Sequence, residues 1–409
     1  MHAHGSDRPR RSCRLLAGLR TKERPLTDPR HRDRVLGSLL GLAVGDCLGA
    51  PFDELGPATL HDRHFEVSTD LLGCPIWTNG TQQALTLVEA TVRRGSPDPS
   101  WIGQRWIEMA GAYRGHPLGV HRDADPSFFR SIAVLRSGGD WRTSGQRGRA
   151  GCASAVRVIP VATALEHQGE DLLAATVIDV SLITHRGLRD ISAALAVAWT
   201  AARLSREPGY PIPAARGRTL LEELAAWLRD REERLLPEVE EIEVDSPSQV
   251  HDVSTLLAGI ARRRDQSWRS WIERYASARL GRPAHASESC ALCSVPTALA
   301  IVLASGQRFE ESLLSAIRLG RDASTVGALV GGLAGAAGGE GAIPTGWRGV
   351  EGWEVLVAWA DALACCTSPA EPEARPAEDC PLPQDLPDIL ALEQRLTQSP
   401  MREESPLLR

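Results

Sequence analysis

Two short runs of oxygen-bearing side chains, far apart in the chain, carry the chemistry: Thr78-Asn79-Gly80-Thr81 and Asp322-Ala323-Ser324-Thr325. Each is followed at once by an apolar stretch of good helix formers, so each reads as a loop feeding the N-terminus of a buried helix. Side chains at two such starts can converge on one pocket. Oxygen donors suit a hard cation such as Mg²⁺. The helix N-termini themselves carry partial positive charge and favour anions instead.

Together with other stretches, these runs resemble the signatures of the ADP-ribosylglycohydrolase family. Its members typically show Thr-Asp-Asp-Thr before the first helix and Asp-x-Asp-Thr-x-Gly-Ala before the second. Gly41-Leu42-Ala43-Val44-Gly45-Asp46-Cys47-Leu48-Gly49-Ala50-Pro51 resembles the N-terminal signature, and Thr184-His185 with its Ala-rich continuation resembles the middle one. Ser154 to Pro160 is similar to the family's Met-Arg-x-x-Pro stretch, with Val156 in place of Met. Order and spacing agree from Arg34 to Ala364. The resemblance implies a compact, all-α, multi-helix fold. It also implies two Mg²⁺ ions between helix starts, which bind the ribose hydroxyls of ADP-ribose and a water. The implied reaction hydrolyses the bond from that ribose to a modified protein side chain.

Carried over position by position, Thr78 and Thr325 match hydroxyl ligands and Asp322 matches one acidic ligand. Asn79, Gly80 and Ser324 stand where the family has three further Asp ligands. Two Mg²⁺ ions about 4 Å apart repel by roughly 17 kcal/mol at an effective dielectric of 20, which four carboxylates offset. One carboxylate does not. The expectation is a family member with impaired metal-dependent hydrolysis that keeps an ADP-ribose-like pocket or a protein-interaction role. The alternative is an active hydrolase using one Mg²⁺ or substitute ligands, for which Asp53 and Glu54 are the candidates, since some family members place a Glu near Asp53. Asp46 reads as a helix-end cap or loop hydrogen-bond acceptor, and Asp123 and Asp125, before Pro126, as N-caps. The family's Gly-Asn-Gly is Gly151-Cys152-Ala153 here. Arg157 suits a phosphate or, inside its helix, a neighbouring carboxylate. His185 suits an acid or base, or a structural hydrogen bond.

The chain that must position these residues has 409 residues, 43% of them hydrophobic and 24% charged, with a net charge of −6. That composition predicts a globular protein without a basic surface for nucleic acid. Runs such as Ile191 to Ala202 are short of the roughly 20 residues that span a bilayer, and no signal-peptide core is evident. The expected location is the cytoplasm, with no membrane partner. Cys290-Ala291-Leu292-Cys293 lacks a second pair at zinc spacing, so reduced structural thiols are expected.

Nearly everything between the ends reads as helix. Phe309, Leu313 and Ile317 recur at helical spacing before Gly320, and Leu220, Leu221, Leu224 and Leu228 form another stripe. Ser289 to Ala304 reads as one apolar core helix. Gly327, Gly331 and Gly335, four apart, predict a groove into which another backbone packs. Pro208 to Pro247 reads as a polar insertion on the same body. The expected organisation is an Arg-rich extension over 1–31, the family domain over 32–366, and a flexible Pro- and acid-rich tail over 367–409, with a possible short helix around Ile389 to Leu396.

Overall fold

The computed structural model describes residues 28–55, 76–114, 119–122, 124–146, 151–246, 249–263, 267–368 and 384–397. Among them there is no strand, only three isolated bridges, and the architecture is all-α as expected. Eight helices organise the site, numbered here in chain order. They are α1 (Pro29–Gly49), α2 (Asn79–Arg94), α3 (Ala153–Arg157), α4 (Ile159–Ala164), α5 (Leu188–Leu204), α6 (Ala323–Gly338), α7 (Trp353–Thr367) and α8 (Ile389–Thr397).

The core is built on α1 and α6, which run antiparallel and form the most extensive helix pair in the molecule. Both are apolar around most of their circumference, which is the pattern of a helix enclosed on all sides. The reason they approach so closely lies in two glycine stripes. Gly37, Gly41 and Gly45 of α1 face Gly335, Gly331 and Gly327 of α6, and Gly49 faces Ala323. A β-carbon at any of these glycines would overlap the backbone of the opposite helix. The groove expected on α6 is therefore filled, and its partner stripe begins within the N-terminal signature. This ladder brings the C-terminal end of α1, with Asp46, against the N-terminal end of α6, with Asp322.

Helices α4, α5 and α7 pack around this pair, as does the helix Phe309–Ile317, whose predicted apolar stripe is buried. The segment Pro29–Phe52, α1 plus a following turn, is 24 residues long and apolar enough to cross a bilayer. Its apolar window is 94% buried inside the protein, the state of a core helix. This corrects the expectation that no stretch reaches bilayer length: the glycines and Ser38 break up what reads as an apolar run.

Four other expectations are corrected at their edges. Residues 208–247 are more than an insertion, because Ala214–Arg234 buries Leu220, Leu221, Leu224 and Leu228 against the helices Asp252–Ala261 and Ser294–Ala304. The helix expected from Ser289 starts at Ser294, and Cys290 to Cys293 form the turn ahead of it, closed by the Cys293 N–H donating to the Cys290 carbonyl at 2.9 Å. Cys47, Cys152, Cys290, Cys293 and Cys366 are not disulfide-bonded, but Cys365 is. Finally, α1 begins at Pro29, capped by Asp28, and the tail comes back to the body at α8. There Glu393, fully buried, accepts from Arg122 Nε at 2.9 Å. Arg122 also donates to Glu351 and to the Trp77 carbonyl, with its guanidinium over the Trp77 ring. Residues 1–27 of the Arg-rich extension, Asp123, and the tail outside 384–397 lie outside the described residues.

Candidate functional site

The first polar run is a capped helix start. Thr78 is the N-cap of α2, in extended backbone, and its hydroxyl accepts from the Gly80 N–H at 3.4 Å. Asp46, reaching over from α1, satisfies the rest. Its carboxylate accepts from the N–H groups of Thr78 and Thr81, each at 3.0 Å, and from their hydroxyls at 2.7 and 2.6 Å. Four donors on one buried carboxylate make Asp46 the anchor between α1 and α2. Burial raises its pKa and these hydrogen bonds counter the rise. The expectation of a hydrogen-bond acceptor holds, with the acceptor serving a different helix from its own.

The second run mirrors the first. Asp53 Oδ1 accepts from the Ser324 N–H at 2.9 Å, so Asp53 caps α6 from outside. A short backbone pairing sets this up: the Glu54 N–H donates to the Arg321 carbonyl at 2.6 Å, and the Arg321 N–H donates to the Leu55 carbonyl at 2.9 Å. Glu54 and Arg321 both take positive φ values, 64° and 62°, to make that turn. Such backbone costs on the order of 1 kcal/mol or more and persists only where its surroundings enforce it. The Glu54 side chain points to solvent.

Asp322 completes the set. Its backbone N–H donates to the Ser287 carbonyl at 3.1 Å, while its Oδ2 is buried without a hydrogen-bond partner. Burial pushes its pKa up to about 6; contacts from Thr325 and Ser289 pull it back, and the charge of Asp46 adds to the rise. Asp53 is pushed up to about 7, by burial first, with Asp322 and Asp46 adding and Ser324 opposing. The three acids therefore feel one another's charge. Gly80 opens toward Asp46: a β-carbon there would stand 3.6 Å from Asp46 Oδ2 and 3.4 Å from Val156. Asn79 Oδ1 accepts from Gln83 at 3.3 Å.

Sequence reasoning misses Ser289, whose only signal is its position ahead of Cys290. A β-carbon at Gly151 would stand 3.0 Å from the Ser289 hydroxyl, so the altered Gly151-Cys152-Ala153 segment lies against Ser289. Cys152 is buried, and its thiol is pushed well up by burial and then by Asp322.

Arg157 and His185 belong to a separate, closed network. Arg157 is fully buried and donates to Gln83 Oε1 at 2.8 Å, to the Val180 carbonyl at 2.7 Å and to Thr184 Oγ1 at 2.8 Å. His185 Nε2 lies 2.8 Å from the Gly151 carbonyl, which can only accept, so Nε2 carries the proton. Its Nδ1, 2.6 Å from Thr184 Oγ1, then accepts the threonine hydroxyl. Burial and the neighbouring Arg157 depress His185 to about 3, so it stays neutral. Both residues hold α3 and its preceding loop to the Thr184 turn: both ring nitrogens of His185 and both terminal nitrogens of Arg157 are taken up in doing so, while Arg157 Nε is buried without a partner.

A pH experiment reads the acids directly. A carboxylate whose folded pKa is raised binds its proton more tightly in the native state, so it lowers stability as pH rises from about 4 to about 7. Asp53→Asn removes one such group and keeps an oxygen for the Ser324 N–H. Its stability relative to the parent should improve across that window by up to roughly 1.4 kcal/mol per pH unit. Urea denaturation at several pH values checks this, and a pH-independent difference would contradict it.

The residues present do not fit two Mg²⁺ ions. Of the positions that would hold them, only Asp322 offers an acidic side chain; Asp53 commits one oxygen to α6, and the Thr78 hydroxyl serves Asp46 and Gly80. The unpartnered Asp322 Oδ2 fits at most one polar contact to a ligand.

An all-helical body in which two buried helix starts converge, joined by acids from the end of a glycine-laddered central helix, defines the class. The chain belongs to the ADP-ribosylglycohydrolase family, whose model matches residues 27–372. It is similar to an uncharacterized protein of Archaeoglobus fulgidus, 28% identical over 316 residues, covering 76% of this chain and 88% of that one. It also matches the uncharacterized protein YegU of Escherichia coli, 28% identical over 187 residues, covering 42% of this chain and 54% of that one. Among solved structures it is similar to a chain described as an ADP-ribosylglycohydrolase-related protein complex. That match has a TM-score of 0.56 and 27% identity, and covers 83% of this chain and 99% of that one.

Proposed function

We propose that this chain is a catalytically impaired member of its family that binds an ADP-ribose-like ligand without a metal pair. The observation that carries the reading is the orphaned Asp322 Oδ2 at the junction of two helix starts. An unpartnered buried carboxylate oxygen is costly, and a ribose hydroxyl donating to it would relieve that cost. Ser324 and Asn79, in the first turns of α6 and α2, carry neutral oxygens, and Asp53, near pKa 7, can accept or donate. None of these contacts needs Mg²⁺.

Calorimetric titration with ADP-ribose, in EDTA and again in millimolar Mg²⁺, tests the reading. The expected result is binding of equal strength in both buffers, weakened at least tenfold by Asp322→Asn. ADP-ribose that binds only with Mg²⁺ would overturn it. The same oxygen also supports a second reading: Asp322 with Asp53 could hold a single Mg²⁺ in an active hydrolase that removes ADP-ribose from modified protein side chains. Mg²⁺-dependent release of ADP-ribose from an arginine-modified protein, lost in Asp53→Asn, would favour that reading.

A further inference from the structure

Far from the acids just described, His31, Glu166 and His167 bring one ligand atom each to within 4.8 Å of the others. His31 is in the first turn of α1 and buried, whereas Glu166 and His167 follow the end of α4 and are partly exposed and exposed respectively. The His31 ring has a fixed tautomer. Its Nε2 lies 3.1 Å from Thr367 Oγ1, and that hydroxyl spends its only proton on the Leu363 carbonyl at 2.7 Å. Thr367 must therefore accept from His31 Nε2–H, which leaves the lone pair on Nδ1. A histidine whose far nitrogen donates to a fixed acceptor is the arrangement metal-binding histidines use. The His167 ring stands edge-on to it, with centroids 5.9 Å apart.

We propose that His31, His167 and Glu166 form a binding site for a Zn²⁺-class divalent ion. Two imidazoles and a carboxylate suit zinc and its neighbours, whereas Mg²⁺ and Ca²⁺ want oxygen ligands throughout. A tetrahedral ion at about 2.1 Å from each ligand needs them about 3.4 Å apart. The exposed His167 and the partly exposed Glu166 can close that gap by side-chain rotation while His31 stays fixed. Burial lowers the pKa of both histidines, His31 to about 4, so no proton competes for the lone pairs at neutral pH. Arg206 works against the ion: it holds Glu166 Oε2 and the Glu166 carbonyl, leaving Oε1 as the ligand. Asp28, also close enough to raise the His31 pKa, works for it. A bound ion would tie the first turn of α1 to the turn after α4, next to the end of α7.

The test is a Zn²⁺ titration by calorimetry on the EDTA-dialysed full chain, with His2 and His4 replaced by Ala so that those imidazoles do not contribute. One ion per chain is expected. His167→Ala, at an exposed position that leaves the fold intact, should weaken binding at least tenfold, and Asp322→Asn should leave it unchanged. Thr367→Val, which keeps the side-chain shape and removes the acceptor of His31 together with the hydroxyl's bond to the Leu363 carbonyl, should weaken it about 10- to 100-fold, with a metal-free melting temperature close to the parent's. A Co²⁺ spectrum should show no thiolate charge-transfer band. Failure to bind Zn²⁺, binding indifferent to His167→Ala, or a thiolate band lost in Cys290→Ser would each overturn the proposal, the last by placing the ion on the Cys290 turn.

Discussion

Restoring the three acids together, Asn79→Asp, Gly80→Asp and Ser324→Asp, will lower stability in metal-free buffer and return it when Mg²⁺ is added. Residue 80 opens toward Asp46, and residue 324 lies against Asp53. A carboxylate at either place meets another at close range in a buried setting. An uncompensated buried charge costs roughly 3–5 kcal/mol, a drop on the order of 5 °C in a chain of this size. A family-type ion pair removes that repulsion, and binding at a hundred times its dissociation constant contributes about 2.7 kcal/mol. Single replacements should gain little Mg²⁺ affinity, because the charges act jointly. Differential scanning calorimetry with and without Mg²⁺ reads the outcome. A triple variant that loses stability and recovers none with Mg²⁺ would show that the loop geometry has drifted along with the ligands.

A second large effect is expected at the glycine ladder. Gly41→Ala or Gly331→Ala places a methyl group against the facing backbone carbonyl, where no flexible side chain can yield. The two central helices must then separate along their length. The cost should reach or exceed the upper end of the about 1–3 kcal/mol typical of overpacking, read as a lower urea midpoint or as insoluble protein. Gly346→Ala is the control, since nothing lies within 4 Å of its added carbon; it should stay within about 0.5 kcal/mol of the parent. Equal stability of Gly41→Ala and the parent would contradict the packing described.

The parts of this protein legible in its sequence are those fixed by local pattern. The N-cap at Thr78, the Asp125 cap that accepts from the Ser127 and Phe128 N–H groups, and the helical stripes at Phe309 and Leu220 all follow from residues a few positions apart. Gly327, Gly331 and Gly335 announce a groove for the same reason. What fills the groove is less legible, because the matching stripe of Gly37, Gly41 and Gly45 lies almost 300 residues earlier. The candidate site divides likewise. Its two halves are readable as motifs, but the commitments of its acids are not: Asp46 serves α2, and Asp53 reaches α6 through a backbone pairing with Arg321. Arg157 and His185 look available in sequence. Their partners, Gln83, Thr184 and the Gly151 carbonyl, become neighbours only after folding. The docking of α8 rests on the Arg122–Glu393 pair, 271 residues apart, and a short amphipathic segment alone does not reveal its partner.

The central claim is that the family's backbone frame remains while the charge needed for two Mg²⁺ ions has gone. Mg²⁺ titration of the unaltered chain by calorimetry tests it most directly. The account predicts no saturating two-ion isotherm up to millimolar Mg²⁺, and at most one weak event that disappears in Asp322→Asn. Two ions bound per chain with sub-millimolar affinity would contradict it.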